Sequence, residues 1–299
     1  MTPPPIILTK VSSAEEKPYT RLMIESLQTF GGSLSRCPVW VFATDGLAPD
    51  CADVAGGQVR VIPLSIPADL RGYPFSSKVL ACARAEELAP AGTGSLIWLD
   101  SGCLVVQPPE LFDLSEDFDA AFRPVHIRNV GSPVHEPMDA FWQGVYRSVG
   151  VRETGFTVQP FIGEDTLRAY FNSHGFSVRT GLGLFTRWAE LYAGLVRDAA
   201  FQTAACKEEP HRIFLFQAVL STLAAALIPA QRIRILPPNY NYPYHLQEQV
   251  PADRRAQALN ELVTFAFEES LIVPDRVRDI RILEPLRSFL LSRAAVFQT

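Results

Sequence analysis

The stretch that decides the fold is "SLIWLDSGCLVVQPPELF", which runs from Ser95 to Phe112. Its first five residues form an apolar run that predicts a buried strand, and a turn follows at Asp100-Ser101-Gly102. In open α/β sheets, ligands bind at the carboxyl ends of the strands, and Asp100 stands at such an end. This carboxylate is therefore either a ligand-binding group or a turn-forming residue, and the tripeptide alone does not separate the two interpretations.

Short apolar runs alternate with helical patterns on the N-terminal side of this stretch. The runs predict strands at residues 6–8, 39–42 and 59–62, and an alanine-rich segment predicts a helix over 76–88. With the helix that follows the first strand, the order is β-α-β-β-α-β, which predicts an α/β fold with a mainly parallel, doubly wound sheet and helices on both faces. Beyond Phe112 the patterns predict helices at 141–149 and 188–199 and strands at 120–122, 176–179, 233–236 and 262–267.

Composition narrows the functional classes. The 299 residues are 47% hydrophobic with a net charge of −5, which suits one large core, and the scattered Lys and Arg argue against a nucleic-acid partner. Five cysteines without a C-x-x-C pair predict reduced thiols and a cytoplasmic location. The N-terminal residues do not form a signal-peptide pattern.

One segment has the apolar character of a membrane span. It is "IFLFQAVLSTLAAALIPA", Ile213–Ala230, which also carries Gln217, Ser221, Thr222 and Pro229. These polar residues and the proline favour a helix buried in a globular core over a transmembrane span.

The region around the opening stretch resembles a known family. The segment from Tyr73 to Leu114, "YPFSSKVLACARAEELAPAGTGSLIWLDSGCLVVQPPELFDL", resembles the donor-site core of nucleotide-sugar glycosyltransferases of the GT-A fold. It is most similar to the family-8-like group that includes glycogenin and bacterial lipopolysaccharide glucosyl- and galactosyltransferases. There an F-[ST]-K motif opens a helix and the next strand ends in Asp-x-Asp. The resemblance implies that Lys78 faces a diphosphate and that Asp100 binds a ribose or a metal ion.

Three further segments are similar to the same group, in the same order. "AYFNSHGFSVR" (169–179) resembles its FNSG strand, which implies that Asn172 and Ser173 face the donor sugar with both donors and acceptors. "LFQAVLS" (215–221) resembles its D-Q-x-x-L-S helix and keeps Gln217, and "ILPPNYNYPY" (235–244) resembles its L-P-x-x-Y-N loop. The resemblance, which runs over about residues 6–267, also implies that Thr9 and Lys10 lie near the base and ribose.

The sequence departs from the group at its metal ligands. Gly102 replaces the second aspartate, Phe216 replaces the acid before the helix glutamine, and Thr264 stands where a late histidine ligand is expected. His245 is an alternative ligand. One carboxylate is a poor site for Mg²⁺ or Mn²⁺, which require several oxygen ligands. Three alternatives stay open: a transferase whose metal site at Asp100 and His245 is weakened, a metal-independent transferase that uses cations such as Lys78, or a non-catalytic relative.

The sequence therefore predicts a single GT-A domain, with a donor half at about 1–115 and a sugar and acceptor half at about 116–299. The expected activity is transfer of a hexose from a nucleotide diphosphate sugar, by default a UDP-sugar, to a saccharide, lipid or protein acceptor. No general base is assigned, and the resemblance favours retention of configuration. The alternative is an inactive protein of this fold that binds a nucleotide-sugar or a partner.

Overall fold

The computed structural model describes residues 4–268, 272–274, 277 and 280–297. Its strands are β1 (Ile6–Val11), β2 (Val39–Thr44), β3 (Val59–Leu64), β4 (Ser95–Leu99), β5 (Cys103–Val105), β6 (Ala120–Pro124), β7 (Thr157–Val158), β8 (Leu167–Arg168), β9 (Phe171–Arg179), β10 (Ile233–Ile235), β11 (Tyr242–Pro243) and β12 (Thr264–Ala266). Its α-helices are α1 (Glu16–Phe30), α2 (Ser76–Leu88), α3 (Ala140–Val149), α4 (Leu184–Arg197), α5 (Ala199–Ala205), α6 (Glu209–Leu227) and α7 (Leu286–Leu291).

Seven strands form the central sheet, in the order β10-β6-β9-β4-β1-β2-β3. Neighbouring strands are parallel except β9, which is antiparallel to both β4 and β6. The predicted α/β sheet is confirmed, and the predicted bounds of α2 and β4 are exact. The patterns did not indicate α5 or α7, each of which spans fewer than two helical turns.

Alternation along the strands builds two cores. Leu8 and Trp98 face the helices α2, α3, α4 and α6, whereas Ile7 and Ile97 face α1 on the other side of the sheet. This is the two-residue period of a strand that is buried on both faces. All five cysteines are buried and unpaired.

Helix α6 packs inside the first of these cores. Within the described part of the chain it is the one helix long and apolar enough to span a membrane, and 61% of its apolar window is buried in the protein. Ser221 donates to the Gln217 carbonyl oxygen at 2.7 Å and accepts from the Phe171 N–H at 2.8 Å. Gln217 and Ser221 thus find partners within the fold, whereas the buried Thr222 hydroxyl has none among the described residues. The helix is buried in a globular core, as the sequence predicted.

The direction of β9 decides what meets at the carboxyl end of β4. Because β9 is antiparallel to β4, its first residues lie beside the last residues of β4, and Leu99 pairs with Gly175. The Asp100 N–H donates to the His174 carbonyl oxygen at 2.8 Å. The start of β9 therefore borders the ligand edge of the sheet.

A second sheet extends the same edge. It has the order β11-β12-β5, with β12 antiparallel to β5 and parallel to β11. Past the end of β12, the Phe267 N–H donates to the Gly102 carbonyl oxygen at 2.9 Å. Glu268 is thereby placed next to the turn that follows β4.

The close approach at Gly175 gives a first testable prediction. A Cβ at this buried position would lie 2.6 Å from Asn241 Oδ1 and 3.1 Å from Phe112 Cζ. We expect Gly175→Ala to lower the free energy of unfolding by about 1–3 kcal/mol, because overpacking forces the neighbours to shift. Gly194 in α4 is exposed and has open space around its Cα, so Gly194→Ala should raise stability by about 0.5–1 kcal/mol. Equal urea midpoints for the two variants would contradict the packing argument.

Candidate functional site

A cleft of about 370 Å³ opens where β1 and β4 end and β9 begins. Strand ends, the start of α1, the first turn of α2 and the middle of α6 form its walls. Its lining residues are Lys10, Glu16, Phe75, Lys78, Asp100, Ser101, Gly102, Ser173, His174, Ile213, Phe214, Phe216, Gln217 and Glu268.

An ion pair lies at the base of the cleft. Lys78 Nζ donates to Asp100 Oδ2 at 2.6 Å and to the Ser173 carbonyl oxygen at 3.2 Å. The other oxygen, Asp100 Oδ1, accepts from Trp98 Nε1 at 2.8 Å. Both carboxylate oxygens of Asp100 therefore have a partner supplied by the protein.

Aromatic rings enclose the ammonium of this pair. Lys78 Nζ lies 5.2 Å from the ring centres of Phe75 and Phe216 and 5.6 Å from that of Trp98, which is cation–π range. The Lys78 side chain is 1% exposed, whereas that of Asp100 is 15% exposed. The carboxylate is thus the member of the pair that reaches the open cleft.

Two amide side chains and a hydroxyl form the wall next to α6. Ser173 Oγ donates to Gln217 Oε1 at 3.0 Å, which connects β9 to α6. Asn172 lies beside them and contacts His174, whose N–H donates to Asn172 Oδ1 at 2.9 Å. This wall offers amide and hydroxyl groups of the kind that recognise sugar hydroxyls.

A second ion pair stands at the opposite wall. Lys10 Nζ donates to Glu16 Oε1 at 2.6 Å, and Ser101 Oγ donates to the same oxygen at 2.7 Å. The Ser12 N–H donates to Glu16 Oε2 at 2.6 Å. The carboxylate of Glu16 thereby joins the end of β1 to the turn after β4.

Two histidines contact Glu268 at the third side of the cleft. Glu268 Oε1 lies 3.0 Å from His174 Nε2 and 3.5 Å from His245 Nε2. The hydrogen bond from His174 lowers the pKa of the Glu268 carboxyl below its ordinary value. Burial lowers the pKa of His245. Glu268 is therefore an ionised carboxylate in the cleft, held by imidazole groups.

His126 lies behind this group and is buried. Its Nε2 donates to the Asn241 carbonyl oxygen at 2.7 Å, and its ring stacks on His174 with centroids 5.5 Å apart. Burial, with His174 and His245 as further causes, lowers the pKa of His126 well below its usual value. The folded protein keeps this imidazole neutral.

These histidines predict a pH dependence of stability. Below about pH 6.5, His126 and His245 become protonated in the unfolded chain but stay neutral in the folded chain. As the pH decreases, the free energy of unfolding should therefore decrease by up to about 1.4 kcal/mol per pH unit for each histidine. His126→Gln should reduce this slope between pH 6.5 and 5 in urea titrations. His135 is exposed, so His135→Gln is the control that should leave the slope unchanged. A slope unaltered by His126→Gln would count against the burial argument.

The structure brings most of the predicted residues together. Lys10, Lys78, Asp100, Ser173 and Gln217 line the cleft. Asn172 lies directly behind His174, and His245 contacts Glu268. Thr9 lies apart, because its side chain is fully buried in the sheet and does not line the cleft.

Among the cleft residues that were not predicted as site residues are Glu16, Phe75, His174 and Glu268. Glu16 lies in the helix that follows the first strand and was not assigned to the site. Phe75 belongs to the F-[ST]-K motif, from which only Lys78 was assigned to the donor. His174 follows the Asn-Ser pair directly, and Glu268 lies in "LVTFAFEES", where Thr264 was considered instead. The strand alternation around His174 could have indicated it, but the place of Glu268 depends on the pairing of β12 with β5.

The residues present do not fit a divalent metal ion. Each of the three cleft carboxylates already has a partner from the chain: Asp100 has Lys78, Glu16 has Lys10, and Glu268 has His174. Among the residues that the structure describes, no group of three or more His, Cys, Asp or Glu side chains is arranged to hold a metal. We therefore derive no step of the chemistry through Mg²⁺ or Mn²⁺.

A larger cavity, of about 650 Å³, lies on the far side of α1. Its walls are mainly apolar, and ion pairs at its rim join Asp53 to Lys17 and Arg21, and Glu25 to Arg293. The eight site residues predicted from the sequence all lie outside it. The smaller cleft is therefore the candidate site.

No protein-family model matches the sequence, and no curated protein matches it. Solved structures do match. Galactosyltransferase LgtC in complex with donor and acceptor sugar analogs is 14% identical with a TM-score of 0.52, and an active-site mutant of LgtC is 12% identical with a TM-score of 0.54. Each match covers 98% of this chain and 96% of the other. The apo form of mouse xyloside xylosyltransferase 1 is 13% identical over 88% of this chain and 97% of that one, with a TM-score of 0.49.

The similarity to the two LgtC structures defines the fold. The chain has the GT-A-type fold of glycosyltransferases, as a single domain built on a mainly parallel seven-stranded sheet. The predicted GT-A fold is confirmed. The family-8-like relationship stays a prediction from the sequence motifs.

Proposed function

We propose that the protein binds a nucleotide diphosphate sugar in the cleft and transfers its hexose to an acceptor, with UDP-sugars as the first donors to test. The observation that carries this proposal is the meeting of Asp100, Lys78, Ser173 and Gln217 in one cleft of a GT-A-type fold. These residues are far apart in the sequence, and the resemblance assigns each of them to the donor.

Hexose transfer requires that the protein position two reactants and stabilise a leaving diphosphate. The bond between the anomeric carbon and the diphosphate oxygen breaks, and the diphosphate leaves with the bonding electrons. The acceptor hydroxyl oxygen bonds to the anomeric carbon and gives its proton to the departing diphosphate or to water. Because the acceptor attacks in a fixed geometry, the protein contributes by positioning both reactants and by stabilising the departing charge. Lys10 and Lys78 are the cations available for that charge, and Asp100 accepts hydroxyl hydrogens at the mouth of the cleft.

In this proposal, the first half of the chain binds the nucleotide and the second half binds the sugar. Lys10, Lys78 and Asp100 come from the half at about 1–115 and would hold the nucleotide, whereas Ser173 and Gln217 come from the half at about 116–299 and would face the sugar. The acceptor would enter over the second half. A saccharide, a lipid or a protein hydroxyl each satisfies this chemistry.

The test is ligand-dependent stabilisation. We expect UDP-glucose or UDP-galactose to raise the melting temperature, since a ligand at about 100 times its Kd adds about 2.7 kcal/mol to stability. Asp100→Asn should abolish the rise, while Asp53→Asn, on the surface beside the other cavity, should retain it. Donor turnover is then followed as release of UDP with and without candidate acceptors. The absence of a shift with any nucleotide sugar would refute the proposal.

Gly102 favours a second candidate, a binding protein without catalytic activity. The position of the second carboxylate in the resembling group has no side chain here, so the fold could be kept for recognition alone. A thermal shift without any release of UDP would support this candidate.

A further inference from the structure

Each oxygen of the Asp100 carboxylate already has a donor, and one of the two donors is a cation. Lys78 takes Oδ2 at 2.6 Å and Trp98 takes Oδ1 at 2.8 Å. A second cation that binds Asp100 must either displace one of these donors or lie close to the Lys78 ammonium, which repels it. Displacing Trp98 leaves a buried indole N–H unpaired, and displacing Lys78 leaves a buried ammonium beside the incoming charge, which is more unfavourable still.

The ammonium of Lys78 is not free to move away. Its side chain is 1% exposed, and the rings of Phe75, Trp98 and Phe216 surround it. Its second acceptor, the Ser173 carbonyl oxygen, belongs to β9 in the centre of the sheet. Lys78 is therefore a fixed cation, held by the same packing that holds the strand ends.

Steric exclusion does not explain the missing second carboxylate. A Cβ at Gly102 would lie 3.7 Å from the backbone of Glu268, which is ordinary contact, and Gly102 does not have the left-handed backbone conformation that requires glycine. An aspartate is therefore sterically possible at this position. The cation supplied by Lys78 makes a second acid unnecessary, because the charge of Asp100 is already balanced.

We propose that Lys78 occupies the cation position of this site, so that Asp100 does not hold a divalent metal ion and ligand binding in the cleft is independent of Mg²⁺ and Mn²⁺. The third N–H of the Lys78 ammonium lacks an acceptor among the described residues and can donate to an anionic ligand in the cleft. The part that concerns the ligand rests on the proposed function, whereas the part that concerns the metal does not.

The first experiment tests metal binding and measures Mn²⁺ uptake by electron paramagnetic resonance. Bound Mn²⁺ does not give the signal of the free ion, so the loss of that signal reports binding. The wild type should take up no Mn²⁺, and Gly102→Asp, which keeps Lys78, should bind it weakly at most. The double variant Gly102→Asp/Lys78→Met should bind one ion at least about tenfold more tightly, because the repulsive ammonium is gone. The matched control Gly102→Asp/Lys17→Met removes a surface lysine and should behave as Gly102→Asp.

Three results overturn the proposal. One is Mn²⁺ uptake by the wild type that Asp100→Asn abolishes. Another is binding by Gly102→Asp as tight as that of the double variant. The third is a folded double variant that binds no tighter than its control. The wild type and Gly102→Asp decide the question even when the Lys78→Met change prevents folding.

The ligand arm compares the affinity of UDP in EDTA and in millimolar MnCl₂ by calorimetry. Equal affinities, within about twofold, are expected, because the cation is already in place. An affinity that requires Mn²⁺ overturns the proposal. Failure of UDP to bind in either buffer refutes the proposed function instead, and the Mn²⁺ titration of the variants still decides the role of Lys78.

Discussion

Asp100→Ala is expected to lower the free energy of unfolding by about 3–5 kcal/mol, because it leaves the Lys78 ammonium buried without its counter-charge. The Ser173 carbonyl oxygen would be the remaining acceptor. Lys78→Met should cost less than Asp100→Ala, since the Asp100 side chain is 15% exposed and cleft water can hydrate it, whereas Lys78 is 1% exposed. Urea unfolding of the two single variants and the double variant measures both effects.

The single and double variants should differ in how much unfolding free energy they lose. The double variant should lose less than the sum of the singles, because removing both charges removes the uncompensated ion. Asp53→Ala is the control: Asp53 pairs with Lys17 and Arg21, but its side chain is 50% exposed, and such surface pairs contribute less than about 1 kcal/mol. A loss at Asp100 no greater than that at Asp53 would show that the buried pair does not support the fold.

Trp98→Ala should cost about 3–5 kcal/mol, the range for deleting a fully buried aromatic side chain. Trp98 also orients Asp100 through its Nε1–H and presents its ring to Lys78. Trp98→Phe separates these roles, because it keeps a ring and removes the donor. Hydrogen bonds to charged groups contribute about 1.5–3 kcal/mol, against about 0.5–1.5 kcal/mol for neutral ones.

Trp188→Phe is the matched control for this change. Trp188 is equally buried, but its Nε1–H donates to the neutral Phe216 carbonyl oxygen at 2.8 Å. We therefore expect Trp98→Phe to be the more destabilising of the two phenylalanine variants in urea unfolding, and the one that weakens UDP-sugar binding. Equal losses and equal binding would indicate that Trp98 acts through packing alone.

Local pattern determined the elements around the site. The apolar run of Ser95–Leu99 is long enough for one buried strand and is followed by turn-forming residues, so its end at Asp100 could be predicted. The first turn of α2 was equally clear, because the helical segment begins at Ser76 after a proline-containing loop. Both features depend on neighbours in the sequence.

At β1 the sequence pattern did not show which side of the strand faces the cleft. Thr9 and Lys10 were both predicted to face the donor, but successive side chains of a strand point to opposite sides. Lys10 lines the cleft, and the side chain of Thr9 is buried in the sheet. Which of the two sides faces a ligand depends on what packs against the sheet.

Tertiary pairing decided the remainder of the site. The antiparallel direction of β9 places His174 against the Asp100 N–H, and the pairing of β12 with β5 places Glu268 beside Gly102. These contacts join segments more than 70 residues apart, and their register comes from packing that a single sequence pattern does not encode. The sequence by itself determined the sheet, the strand end at Asp100 and the missing second acid. Only the tertiary structure decided that Lys78 lies within 2.6 Å of that carboxylate, because burial among three aromatic rings leaves the ammonium no other position.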